Sequence, residues 1–185
     1  LIKDSGITLL TLSTITFGIY KITKYFSKSK DVLKDYISVN NEFAQFLKQN
    51  DLVEHKTEGL KYLEKLENIV EKLLEYYEES TKKYETIDKS GEVSEYNKKL
   101  YMMVDNTNQI LDDVKRLIIL VQRGTPRSNV TVRKLVKNVI NYGDKMFYKT
   151  ENMIKSSEQM ETNLKKVGKF MKTVERKSMT KKMQK

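Results

Sequence analysis

The chain has 185 residues, with 35 Lys/Arg against 25 Asp/Glu, one proline, seven glycines, no cysteine, no tryptophan and a single histidine, His55. Without cysteine there are no disulfides, thiolate metal sites or cysteine nucleophile, and one histidine excludes two-histidine relays and His-based zinc sites. The net charge of +10 is uneven: residues 31–90 hold nine basic and fourteen acidic side chains, residues 127–185 sixteen and five, so the C-terminal part points to an anionic partner.

The first element is an uncharged run, Ser5 to Tyr20, followed closely by Lys21, Lys24, Lys28 and Lys30. As a helix its sixteen residues cover about 24 Å, short of the ~20 apolar residues a bilayer span needs. It lengthens if Lys21 and Lys24 snorkel, with Tyr20 and Tyr25 at an interfacial belt. The reading preferred from sequence is a membrane segment carried by Ile7, Leu9, Leu10, Leu12, Ile15, Phe17, Ile19 and Tyr20. Thr8, Thr11 and Thr14 lie on one face of it, where they can bond to backbone carbonyls or to another helix. The trailing lysines predict an outside N-terminus and a body on the cytoplasmic or matrix-like side. Competing readings are a helix buried against protein, a short strand (Ile15, Phe17 and Ile19 alternate with smaller residues) and a cleaved signal segment. Leu1 is not an initiator methionine, which implies an upstream piece. This divides the chain into 1–28, the hydrophobic segment, and 29–185, a long-helix body with a basic extension.

Residues 31–88 accommodate up to 58 helical residues, about 87 Å. At its base Val32, Tyr36, Val39, Phe43 and Phe46 form an apolar stripe that needs a partner, a second copy, or a fold-back at Asn50. Asp51 with Glu54 three residues on resembles a capping pair, so the helix can restart there. Beyond it Leu63, Leu66, Val70, Leu73, Tyr77, Ser80, Tyr84 and Ile87 repeat at helical spacing.

Asp88-Lys89-Ser90-Gly91 reads as a turn, and Val93, Tyr96, Leu100, Met103, Thr107, Ile110, Val114, Leu117 and Val121 then alternate steps of three and four. After a second turn, Gly124 to Asn129, the same rhythm runs from Val132 through Val136, Val139, Gly143, Met146, Thr150, Met153, Ser157, Met160, Leu164, Val167 and Met171 to Val174. Such a 3.5-residue period belongs to helices burying one stripe against partners. The fold class is therefore all-α: an elongated antiparallel bundle or coiled coil of three long helices preceded by a short hydrophobic one. On the last helix, small residues (Gly143, Thr150, Ser157) and methionines (Met146, Met153, Met160) line the stripe, as core packing or as an adaptable groove.

The C-terminal stretch carries Lys165, Lys166, Lys169, Lys172, Arg176, Lys177, Lys181, Lys182 and Lys185 against one acid, Glu175. A basic amphipathic helix of this kind meets anionic lipid, an acidic groove or nucleic-acid phosphates, or is a solvated helix end. Nothing in the sequence assembles catalytic chemistry. Glu78-Glu79 and Asp112-Asp113 diverge by about 100° on a helix and read as solvated acidic faces. His55 lies among charged residues without companions, and no nucleophile has an activating base. Asn129-Val130-Thr131 is a glycosylation triplet, but Asn129 also suits a helix N-cap.

The expected function is a non-enzymatic structural or assembly subunit of a larger complex, without cofactor, metal or small-molecule substrate. It is tethered to a membrane by the first helix and binds other protein subunits, as a homo- or hetero-oligomer, through its stripes. Two alternatives are a soluble ribonucleoprotein accessory subunit with its basic helix on phosphate, and a helical pore-forming toxin.

Overall fold

The structure is a computed structural model and describes residues 9–88 and 94–184, the side chain of Leu10 excepted. These form four helices: α1 (Leu9–Gln49), α2 (Lys56–Ile87), α3 (Glu95–Gln122) and α4 (Val130–Met183). No strand occurs among the described residues. Each helix packs on its neighbours in a ring, α1 on α2 and α4, α3 on α2 and α4, an antiparallel four-helix bundle.

The helix boundaries differ from the sequence expectation at two places, for one reason. The first helix is not short: α1 has 41 residues, about 60 Å, and passes residue 28 without a break. Its buried seam is Leu12, Ile15, Ile19, Ile22, Phe26, Ser29, Leu33, Tyr36, Asn40, Phe43 and Leu47, steps of three and four without a slip. The uncharged run and the base stripe are therefore one seam. Nor does one helix fill residues 31–88, because the chain folds back after Asn50. The Asp51 carboxylate accepts the backbone N–H groups of Val53 and Glu54 at 2.8 and 3.1 Å, turning the chain so that α2 returns along α1. The fold-back is what covers the base stripe: Phe43 and Phe46 pack on Tyr62 with ring centroids 5.9 and 5.4 Å apart.

The second connection is closed by local chemistry that the sequence spells out. Gly124 has φ +76°, the left-handed region that suits glycine, and the N–H of Thr125 reaches back to the Leu120 carbonyl, which ends α3 in a Schellman motif. Asn129 accepts from the N–H groups of Thr131 and Val132, capping α4 as its residue type suggests. Between them Arg127 donates to the Leu47 carbonyl, fastening this loop to the C-terminus of α1.

The small positions on α4 have a common cause, since each faces a tyrosine from a different helix. A Cβ on Gly143 would lie 2.9 Å from the Tyr36 ring, and the Tyr36 hydroxyl donates to the Val139 carbonyl at 2.7 Å. Thr150 and the Tyr77 hydroxyl are 3.0 Å apart, and Ser157 and the Tyr96 hydroxyl 2.7 Å. Ser157 gives its own hydrogen to the Met153 carbonyl, so the Tyr96 phenol is the donor. Tyr142 completes the set against Thr107 on α3, 2.8 Å away. Buried polar groups that find partners only in one register select that register. Met146 and Met153 fill the intervening layers and are buried, which makes them core and not a groove.

Candidate anionic-partner interface

Antiparallel pairing and unequal helix lengths determine what protrudes. On α1, Gly18 meets Ile87 near the end of α2, and on α4, Ser157 is level with Tyr96 near the start of α3. Beyond that level only α1 and α4 continue: Leu12 packs near Gly168, and Leu12, Ile15 and Leu164 are buried there. From Lys172 to Gln184, α4 is exposed on every side. A four-helix body thus narrows to a two-helix section and then to a single helix. Residues 158–183 of α4 extend about 39 Å past the α3 start.

Charge follows the same division. Residues 165–184, the protruding part of α4, hold eight Lys/Arg against one acid, a net +7. The other described residues, 9–88 and 94–164, hold twenty-four basic and twenty-two acidic side chains, and Lys30 of the body lies 3.7 Å from Glu151. Among the described residues most of the net charge therefore lies on the protruding end of α4.

The predicted tail residues Lys165, Lys166, Lys169, Lys172, Arg176, Lys177, Lys181 and Lys182 are all exposed. Lys165, Lys169, Lys172 and Arg176 follow one another at steps of four, three and four, opposite the seam side of Leu164, Val167 and Met171. Lys165 is held by Glu161 at 2.9 Å. On the outer face of α1, Lys21 lies 5.4 Å from the Phe17 ring centroid and Lys24 5.2 Å from that of Tyr20, so exposed aromatic surface is covered by cations.

The expected membrane segment needs correction. No described helix is long and apolar enough to cross a membrane. Leu12, Ile15 and Ile19 are buried in the seam, Leu9 is half-buried, and Phe17 and Tyr20 are exposed. Ile7 and the Leu10 side chain lie outside the described residues. The physical reason is the two-faced character of the run: its apolar residues recur at seam spacing and find α2 and α4, while Ser13, Thr16 and Tyr20 occupy other faces. Thr16 bonds back to the Leu12 carbonyl at 2.8 Å.

The partner stripe is likewise occupied by the chain itself. Tyr36, Phe43 and Phe46 are buried, and Val32 and Val39 flank the seam half-buried. Asp113 is a second correction: Asp112 is exposed, but Asp113 is buried and accepts from Gln109 and Asn138, each at 3.1 Å. His55 is half-buried at the start of α2, edge-on to Phe46. Among the described residues no group of His, Cys, Asp or Glu is placed to hold a metal ion.

Titration shifts concentrate in the tyrosine layers. Burial pushes the Tyr77 phenol up to about 12, against the opposing pull of its bonds to Thr150 and Ser29. It raises Tyr36, Tyr96 and Tyr142 as well. Partial burial lowers Lys149, helped by the neighbouring charge of Lys145. Compared with protein-family models, with curated proteins and with solved structures, the chain matches none.

Proposed function

We propose that this chain is a non-enzymatic structural or assembly subunit: a nearly neutral four-helix body that presents a basic end to an anionic partner within a larger complex. The observation that carries the reading is the gathering of a net +7 on residues 165–184 of α4 while the other described residues together hold only +2. A field concentrated at one end orients the molecule as it approaches an anionic surface, and attraction falls off within ~10 Å at moderate salt. The extended shape of α4 keeps that end clear of the body, so both can be engaged together. Other protein subunits would meet the body's outer faces.

Binding of the full chain to immobilised heparin, read as the salt concentration needed for elution, tests the reading. Replacing Lys165, Lys166, Lys169 and Lys172 by glutamine is expected to lower that salt concentration strongly. Replacing Lys61, Lys65, Lys72 and Lys115 on the body, an equal loss of charge, is expected to leave it nearly unchanged. Equal effects of the two sets would refute an oriented, end-on interaction.

A further inference from the structure

The outer stripe of α4 does not stop at Arg176. Continuing the same steps of three and four leads to Met179 and Met183, which are 64% and 85% exposed, so four cations and two methionines line one face from Lys165 to Met183. Phe170 and Val174, 69% and 49% exposed, lie on the opposite face, in line with Val167 and Met171. Large apolar side chains left in water throughout a cationic segment are a cost that a polyphosphate does not relieve, because phosphate contacts offer them nothing to pack on. An anionic bilayer surface relieves both: headgroups take the ammonium groups and the acyl boundary takes Met179 and Met183, which share the cationic face. The composition agrees, since seven of the eight tail cations are lysine and only Arg176 has the planar fork suited to bidentate phosphate recognition.

We infer that the anionic partner is a lipid surface, on which residues 165–183 of α4 lie as an interfacial helix while the body stays in water. This rests on the reading of the basic end as the binding end and adds the identity of what it binds. It is adsorption to one leaflet, not a span. The segment lies flat because its cations are spread along about 26 Å of helix, from Lys165 to Lys182, not gathered at the tip.

Co-sedimentation of the full chain with vesicles of phosphatidylserine and phosphatidylcholine, with phosphatidylcholine alone, and in parallel its binding to a duplex DNA oligonucleotide, tests the inference. Two variants confined to exposed residues are compared, Met179→Ser with Met183→Ser, and Lys169→Gln with Lys172→Gln and Arg176→Gln. The charge variant is expected to lose roughly a hundredfold in affinity for the anionic vesicles. The methionine variant is expected to lose about tenfold on the same vesicles, with its DNA binding unchanged. Anionic-vesicle binding that ignores the methionines would overturn the interfacial helix. Binding to DNA but not to vesicles would overturn the lipid assignment and leave the basic end standing as a binding end. Binding to neither would overturn both.

Discussion

Gly143 and Gly168 sit on the same helix, and alanine at each is expected to act in opposite directions. Replacing a helical glycine by alanine gains about 1 kcal/mol from backbone entropy alone. At Gly168 the new Cβ would meet only Leu12 at 3.4 Å, an ordinary contact, so the gain is kept. At Gly143 the Cβ would stand 2.9 Å from both the Tyr36 ring and Ile37. Tyr36 cannot withdraw cheaply, because its hydroxyl is tied to the Val139 carbonyl and its ring packs edge-on to Tyr142, centroids 5.2 Å apart. Overpacking at such a site costs about 1–3 kcal/mol, which outweighs the gain. Urea unfolding followed by circular dichroism reads both. With a slope of about 2 kcal/mol per molar urea, Gly168→Ala should raise the midpoint by about 0.3–0.5 M and Gly143→Ala should lower it by up to about 1 M. If both variants were stabilised, α1 and α4 would not approach each other as closely as described.

Other consequences are as sharp. Tyr36, Tyr77, Tyr96 and Tyr142 hold their protons more tightly when folded than the ~10 of an unfolded tyrosine. Above that pH the unfolded chain binds fewer protons, so stability, full below it, declines as pH rises toward the folded values. The slope is up to about 1.4 kcal/mol per pH unit for each phenol. Tyrosinate absorbance should therefore rise together with loss of helical signal, and ionisation of all eleven tyrosines near pH ~10 with the helices intact would contradict their burial. Asn129→Ala removes both cap bonds of α4 and should cost about 1 kcal/mol in chemical denaturation, with no loss contradicting the cap. Ile19→Ala, at a fully buried seam position, should cost about 2–5 kcal/mol. Phe17→Ala, one half-turn away and 55% exposed, should stay within about 0.5 kcal/mol.

What could be read from the sequence was the periodicity. The stripes of α3 and α4 are buried nearly as spaced, from Leu100 to Val121 and from Val132 to Leu164, because a clean 3.5-residue rhythm has few other uses. Val93 lies outside the described residues. Turn chemistry was legible for the same reason: Gly124, Asn129 and Asp51 each do what their residue type favours. The seam of α1 was hidden by its polar members. Ser29 and Asn40 occupy seam positions: Ser29 satisfies its hydroxyl on the Phe26 carbonyl three residues back, whereas Asn40 finds the Ile140 carbonyl a hundred residues away, which no local pattern reveals. With those two positions discounted, the run ahead of Lys21 separates from the stripe behind it and looks like an independent anchor. Following Leu12, Ile15, Ile19, Ile22 and Phe26 at three-four spacing through Ser29 to Leu33 would have joined them. The small residues of α4 were visible, but not the tyrosines that require them, since which helix supplies each ring is a property of the packed bundle. The basic tail was found by composition. Its separation from a charge-balanced body needed the helix lengths and their register.

Amide hydrogen exchange on Ile19→Asp tests the central claim that the uncharged run is the beginning of a bundle helix and holds α4 in place. If α1 from Leu12 to Phe26 packs on α4, a charge at Ile19 should release protection both in that stretch and in α4 residues 154–168, while the amides of α3 residues 107–121 change far less. Unaltered protection of α4 residues 154–168 would mean that the run is not part of the bundle, and the two-helix section from which the basic end of α4 projects would not exist as described.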